Sequence, residues 1–150
     1  MQPNPTQSLY EQDFSAWLEK TAQQLRAGDY QNLDHNNLIE EIESLGKREK
    51  RELESRLTTL FEHALKRQYL DLPECYRGWD STIRRTQKEI IKVLRDSPSL
   101  KVFLRDIYLD CYQDALENMR LEYSANFPEN YPFETDTTKL LESSFVESDG

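Results

Sequence analysis

Between Leu38 and Ala64 apolar residues return every three or four positions, at Leu38, Ile42, Leu45, Leu53, Leu57, Leu60 and Ala64, save where Glu49 stands midway between Leu45 and Leu53, with no proline in the stretch. That period is helical, and the spacing predicts one long amphipathic helix over about residues 37–69. At about 1.5 Å per residue such a rod is close to 50 Å long, and its apolar stripe needs other elements to cover it. Asn37 followed by Glu40 reads as a capping box, with Asp34 as an earlier candidate cap. Gly46 lies inside the helix, where glycine costs about 1 kcal/mol relative to alanine. Either the helix bends there, or another helix packs close against it.

The flanking segments repeat the pattern. Tyr10, Phe14, Trp17, Thr21 and Leu25 share a face and predict a helix over about Leu9–Ala27, with Gly28 as its stop. "LPECYRG" reads as a loop, and Asp80 as the cap of a third helix whose apolar face holds Trp79, Ile83, Ile90 and Leu94. In "DSPSL", Ser97 suits a cap and Pro98 the first helical position. The helix that follows is apolar around more than half its circumference and should be the most buried. "FPENYPF" is an extended segment whose aromatics fasten it to the rest, and a short helix follows near Thr138–Phe145. Only four glycines and six prolines punctuate the chain, too few for a turn-rich β fold. The expectation is an all-α protein, an antiparallel helical bundle of about four main helices with a short C-terminal extension. Residues 1–150 should form a single helical domain, with about eight N-terminal and five C-terminal residues loose.

Charge narrows the function. The net charge is −9, which argues against non-specific nucleic-acid binding. Residues 77–105 nevertheless hold eight Lys/Arg against three acids, and residues 106–150 hold eleven acids against two bases. Either the basic segment faces acidic segments of the same molecule, or it is an anion or RNA patch, which requires its bases to share one exposed face. No apolar run approaches the roughly 20 residues of a membrane helix, and the first residues lack the features of a secretory signal. Cys75 and Cys111 have neither metal nor redox spacing, so a reduced, cytoplasmic protein is the simplest reading.

The long helix carries one anomaly. On a wheel advancing about 100° per residue, Glu49, Arg56, His63 and Arg67 fall within about 20° of Leu38, and Glu41 flanks them. Charges on an apolar face need opposite charges, water or a ligand. The expected partners are Arg84 or Arg85 of the next helix, meeting Glu41 or Glu49. If those contacts close, the line is an ion-pair layer that fixes helix register. If they leave a pocket beside His63, Arg56 and Trp79, the same residues form a ligand-binding or catalytic cleft. The candidate polar cluster is therefore Glu41, Glu49, Arg56, His63, Trp79 and Arg84.

Sharper chemistries lack their residues. A di-iron bundle needs Glu-x-x-His pairs, whereas His63 follows Glu62 directly and His35 follows Asp34 directly. Cys75 has no histidine near it in sequence, and Cys111 sits on a buried stripe. No phosphate loop, GxGxxG or GxSxG occurs. The sequence designates no catalytic residue, no metal ligand and no cofactor.

The segment from "YEQDFSAWLEK" through "NNLIEEIESLGKREKRELESRLTTLFEHALKRQYL", continuing in "WDSTIRRTQKEI", "LRDSPSLK" and "FPENYPF", resembles the bacterial, notably cyanobacterial, domain-of-unknown-function 29 family over about residues 10–141. The resemblance implies an all-α fold and no established activity. It matches the family's recurrent polar positions to Asp13, Glu41, Glu49, Arg56, His63 and Arg84, and its tryptophans to Trp17 and Trp79. Tyr131 stands where the family pattern implies a cysteine, so any metal or redox role of that cysteine would not extend to this chain. The leading expectation is a non-enzymatic protein-interaction or regulatory module with an unidentified protein partner, no membrane partner and room for a homo-oligomer. The alternative is a ligand-binding protein or enzyme using the Glu/Arg/His cleft. The weakest is nucleic-acid binding through residues 77–105.

Overall fold

The computed structural model describes residues 8–146. The ends expected to be loose lie almost wholly outside these described residues. Six helices and no strand occur among them: α1 (Leu9–Gln12), α2 (Phe14–Arg26), α3 (His35–Tyr69), α4 (Pro73–Asp96), α5 (Leu100–Glu122) and α6 (Thr137–Leu140). The fold is all-α, a helical bundle. The chain divides into two compact units, Met1–Lys47 and Arg48–Gly150, and α3 contributes residues to both.

In the first unit, the helix expected over Leu9–Ala27 is interrupted at Asp13. That residue takes an extended conformation, and its carboxylate accepts a hydrogen bond from the Ala16 N–H at 3.0 Å, so it caps α2. At the other end Gly28, at φ 71°, closes the helix as expected. Its N–H donates to Leu25 O and that of Asp29 to Gln24 O, the paired bonds of a Schellman stop. Helix α3 begins at His35, which makes Asp34 the capping residue of the two candidates. The Asn37 side-chain amide donates to the Asp34 carboxylate at 2.8 Å, and the Trp17 indole at 3.1 Å. The bond from Asn37, then that from Trp17, hold the Asp34 carboxyl below its ordinary range against the opposing effect of desolvation. Tyr10 donates to Glu41 and Gln24 to the Asn32 carbonyl. From Tyr10 through Trp17 to Gln24, successive residues meet Glu41, Asp34 and Asn32 in reverse order, so α1 and α2 run antiparallel to the start of α3.

In the second unit, contacts between α3 and α4 step in opposite directions, Glu49 with Ser97, Arg56 with Glu89 and Arg67 with Asp80, which makes these helices antiparallel. The core joins Leu53, Leu57, Leu60, Phe61, Ala64 and Leu65 of α3 to Ile83, Ile90 and Leu94 of α4 and to the inward face of α5. "LPECYRG" is not a loop. Pro73 occupies the first turn of α4, where its missing N–H costs nothing, so the helix starts some two turns earlier than Asp80 would have set it. Ser97 ends α4 rather than capping α5. α3 continues through Gly46, and among the described residues nothing outside its own turn lies within 4 Å of where a Cβ would sit, so no helix packs close against it.

The aromatics of "FPENYPF" do fasten that segment. Tyr131 packs edge-on against Phe61 at 5.6 Å, Tyr108 at 5.2 Å and Tyr112 at 5.3 Å, and Phe133 stacks on Phe61 at 5.9 Å. At the position where the family resemblance implied a cysteine, the tyrosine ring therefore fills core space. Gln87, 2% exposed, ties down the C-terminal extension. Its amide donates to the carbonyls of Leu140 at 3.1 Å and Ser143 at 2.9 Å. Removing a donor from buried acceptors costs about 1–3 kcal/mol. Gln87→Leu should therefore destabilise by that amount and speed amide exchange at Leu140 and Leu141 specifically; unchanged exchange there would show that the tether does not hold the extension.

Candidate functional site

The residues of the polar line do not converge. Glu41, in the first unit, accepts from Tyr10. Glu49 accepts from the Ser97 hydroxyl at 2.7 Å. Arg56 is held by Glu52, one helical turn before it, at 2.9 Å and by Glu89 of α4. The His63 ring nitrogen Nδ1 lies 2.9 Å from the Thr59 carbonyl; a carbonyl can only accept, so Nδ1 carries the proton. Arg67 donates to Asp80 at 2.9 Å and lies 3.8 Å over the Tyr76 ring. Trp79 packs beside Tyr76. Arg84 is exposed and makes no ion pair among the described residues. The partners expected for Glu49, Arg84 or Arg85, are thus replaced by Ser97, and Arg56 and Arg67 take the acids of α4. The early start of α4 changes which of its residues lie opposite α3. A groove of about 400 Å³ does lie beside the Arg56–Glu89 pair, lined by Thr59, Arg85 and Thr86 among others.

Half-burial lowers the pKa of His63, opposed by its bond to Thr59. The unfolded chain therefore takes up the proton first as pH falls through about 6.5, so this contribution to stability is present above that pH and lost below it. Melting temperatures should fall more steeply between pH 7.5 and pH 5 for the native protein than for His63→Gln. Parallel profiles would contradict this. Cys111 is a buried thiol, pushed up to about 11 by desolvation, and unsuited to nucleophilic chemistry. Among the described residues no group of three or more His, Cys, Asp or Glu is placed to hold a metal ion.

Two features stand out instead. The first is the apolar stripe of α3. Leu53, Leu57 and Leu60 are fully buried, yet Ile42 and Leu45 of the same stripe are 60% and 61% exposed. Ile39 of α3 and Phe14, Leu18 and Leu25 of α2 are exposed as well. Buried Trp17 and Thr21 mark the inward side of α2. On α2 the exposed Phe14, Leu18 and Leu25 sit about 60° from that side, and on α3 the exposed Ile39, Ile42 and Leu45 sit on average about 100°, in the same rotational sense, from Glu41, which Tyr10 of α1 holds. In an antiparallel pair, displacements in the same sense place both sets on one side of the hairpin. Around them the chain is acidic, since residues 8–47 hold eight Asp/Glu against three Lys/Arg.

The second is a cavity of about 760 Å³ in the second unit, where the end of α4, the start of α5 and α6 meet. Basic residues of α4 also align: Arg77, Arg84, Lys88, Lys92 and Arg95, the last of which lines the cavity, are all exposed and lie within an arc of about 80°. None of the ion pairs among the described residues joins the bases of 77–105 to the acids of 106–146. The internal neutralisation expected for the basic segment is therefore not formed by direct pairs.

The profile described as "Domain of unknown function DUF29" matches residues 9–146. The chain belongs to this family. The DUF29 match spans residues of both compact units, so the exposed hairpin face and the cavity both lie within the family's domain. No curated protein and no solved structure matches the chain. No helix among the described residues is long and apolar enough to cross a membrane.

Proposed function

We propose that this DUF29 protein is a non-enzymatic interaction module, whose first unit docks an amphipathic helix with basic flanks supplied by a protein partner. The exposure of Ile42 and Leu45, on a stripe whose later leucines, Leu53, Leu57 and Leu60, are core, is the observation that supports this reading. Contiguous exposed apolar residues rimmed by polar ones mark interaction surfaces, and an amphipathic helix covers such a face by placing its own apolar stripe upon it. Charge selects the occupant. Glu41 and Glu43 flank the α3 stripe, and the excess of carboxylates in residues 8–47 favours Lys/Arg at the rim of the partner and repels a second copy of the same unit. Two free thiols support a reducing, cytoplasmic setting. Five of the eight bases of residues 77–105 share an exposed face of α4, which would suit nucleic acid, but the net charge of −9 makes nucleic acid the weaker partner class.

The test is binding of a model Leu/Lys amphipathic helix peptide, compared with its Leu/Glu counterpart, by the native protein and by the double variant Ile42→Glu/Leu45→Glu. Loss of Leu/Lys binding in the variant supports the proposal; equal binding of both peptides, or no effect of the substitutions, overturns it.

A further inference from the structure

We infer that the cavity between the end of α4, the start of α5 and α6 is a binding site for a small amphiphilic anion, an organic molecule with an apolar body and a phosphate or carboxylate head. This inference is independent of the docking face on the first unit. The volume of about 760 Å³ lies within the range of small-molecule sites. Its floor is apolar: Leu94, Leu104 and Leu141 line it and are 7%, 1% and 4% exposed. Its rim carries three cations, Arg95, Lys101 and Arg105, which come from two helices and make no ion pair among the described residues.

Two carboxylates also line the cavity. That of Asp136 is already engaged, accepting from the N–H groups of Thr138 at 2.9 Å and Lys139 at 3.3 Å, where it caps α6. Glu142 is left to oppose the three cations. Positive charge thus exceeds available negative charge at the rim of an apolar floor, and a cleft lined by an excess of one sign attracts a counter-ion. Cations alone would suit inorganic phosphate, and leucines alone would suit a neutral hydrocarbon. Their juxtaposition selects a molecule that has both parts.

Isothermal titration with octyl phosphate below its micelle concentration tests the inference, with octanol, inorganic phosphate and phosphatidic-acid-containing vesicles as comparisons. The native protein should bind octyl phosphate at one site, at least tenfold tighter than octanol or inorganic phosphate. Lys101→Ala/Arg105→Ala should weaken it at least tenfold, and Glu142→Gln should tighten it. All three residues are exposed, so these variants keep the fold, which circular dichroism checks. Leu104 and Leu141 methyl resonances should shift on binding, and those of Ile42 should not. Absence of octyl phosphate binding, equal binding of octanol, indifference to the cation substitutions, shifts centred on Ile42, or capture only by vesicles would each overturn the inference.

Discussion

Replacing Phe61 by alanine should lower the melting temperature by about 10 °C. The ring is fully buried on α3 and touches three others, Tyr112 at 5.9 Å, Tyr131 at 5.6 Å and Phe133 at 5.9 Å. It therefore joins α3 to α5 and to the irregular segment before α6. Truncating a buried phenylalanine costs about 3–5 kcal/mol, partly for lost transfer energy and partly for the cavity left behind. At about 2–4 °C per kcal/mol for a chain of this size, that loss gives the stated shift. The neighbours are poorly able to collapse into the space, because Tyr112 is anchored through its hydroxyl to the Pro128 carbonyl and Tyr131 through its own to Glu134 O. Phe61→Leu, which keeps most of the volume, should cost much less. A shift below about 2 °C for the alanine variant, less than the shift from 1 kcal/mol, would show that the rings are not packed together.

The second large effect is on binding. Ile42→Glu/Leu45→Glu should abolish detectable docking of a basic amphipathic helix and leave the melting temperature within about 2 °C of native, as expected for surface changes away from the core. The two effects separate the halves of α3. Phe61 belongs to the segment whose stripe is closed by α4 and α5, and loss of its ring is felt in stability. Ile42 and Leu45 belong to the segment whose stripe faces outward, and their loss is felt in association. Each introduced carboxylate also adds negative charge to an acidic rim, which opposes an apolar contact while leaving a purely basic one intact. Retained binding would thus point to electrostatic attraction alone.

Much of the fold was legible because helical period and stop signals are local. The stripe from Leu53 to Leu60 is buried where the spacing placed it, and Gly28 adopts the left-handed conformation that a helix stop requires. Ile42 and Leu45 were not legible in the same way. An apolar stripe states which face of a helix avoids water, and says nothing of whether a neighbour exists to cover it. "LPECYRG" reads as a loop in the sequence and folds as helix because proline and glycine are ambiguous signals. Pro73 opens a helix as readily as it breaks one, and Gly78 is tolerated inside α4.

The candidate site was less legible. The wheel places Arg56 and Glu49 on one line of α3, but their partners depend on the register of α4 against α3. The sequence signal for that register, the start of α4, was read some two turns late. Ser97 stands beside Glu49 in the place expected for Arg84 or Arg85, and Glu89 takes up Arg56. The cavity was hidden for another reason. Arg95, Lys101 and Arg105 read as part of a basic run, and only the fold of the C-terminal extension, held by Gln87, brings Leu141 and Glu142 beside them.

The most direct measurement is a titration of the native protein with a fluorescent Leu/Lys helix peptide at two salt concentrations, beside the Leu/Glu peptide and the Ile42→Glu/Leu45→Glu variant. The account predicts saturable binding of the Leu/Lys helix, at least tenfold weaker binding of the Leu/Glu helix, and only a modest weakening by salt because apolar burial dominates. The variant should lose at least tenfold in affinity, or about 1.4 kcal/mol. Equal affinity of native and variant protein for the Leu/Lys helix would contradict the claim that the outward stripe of α3 is a docking face.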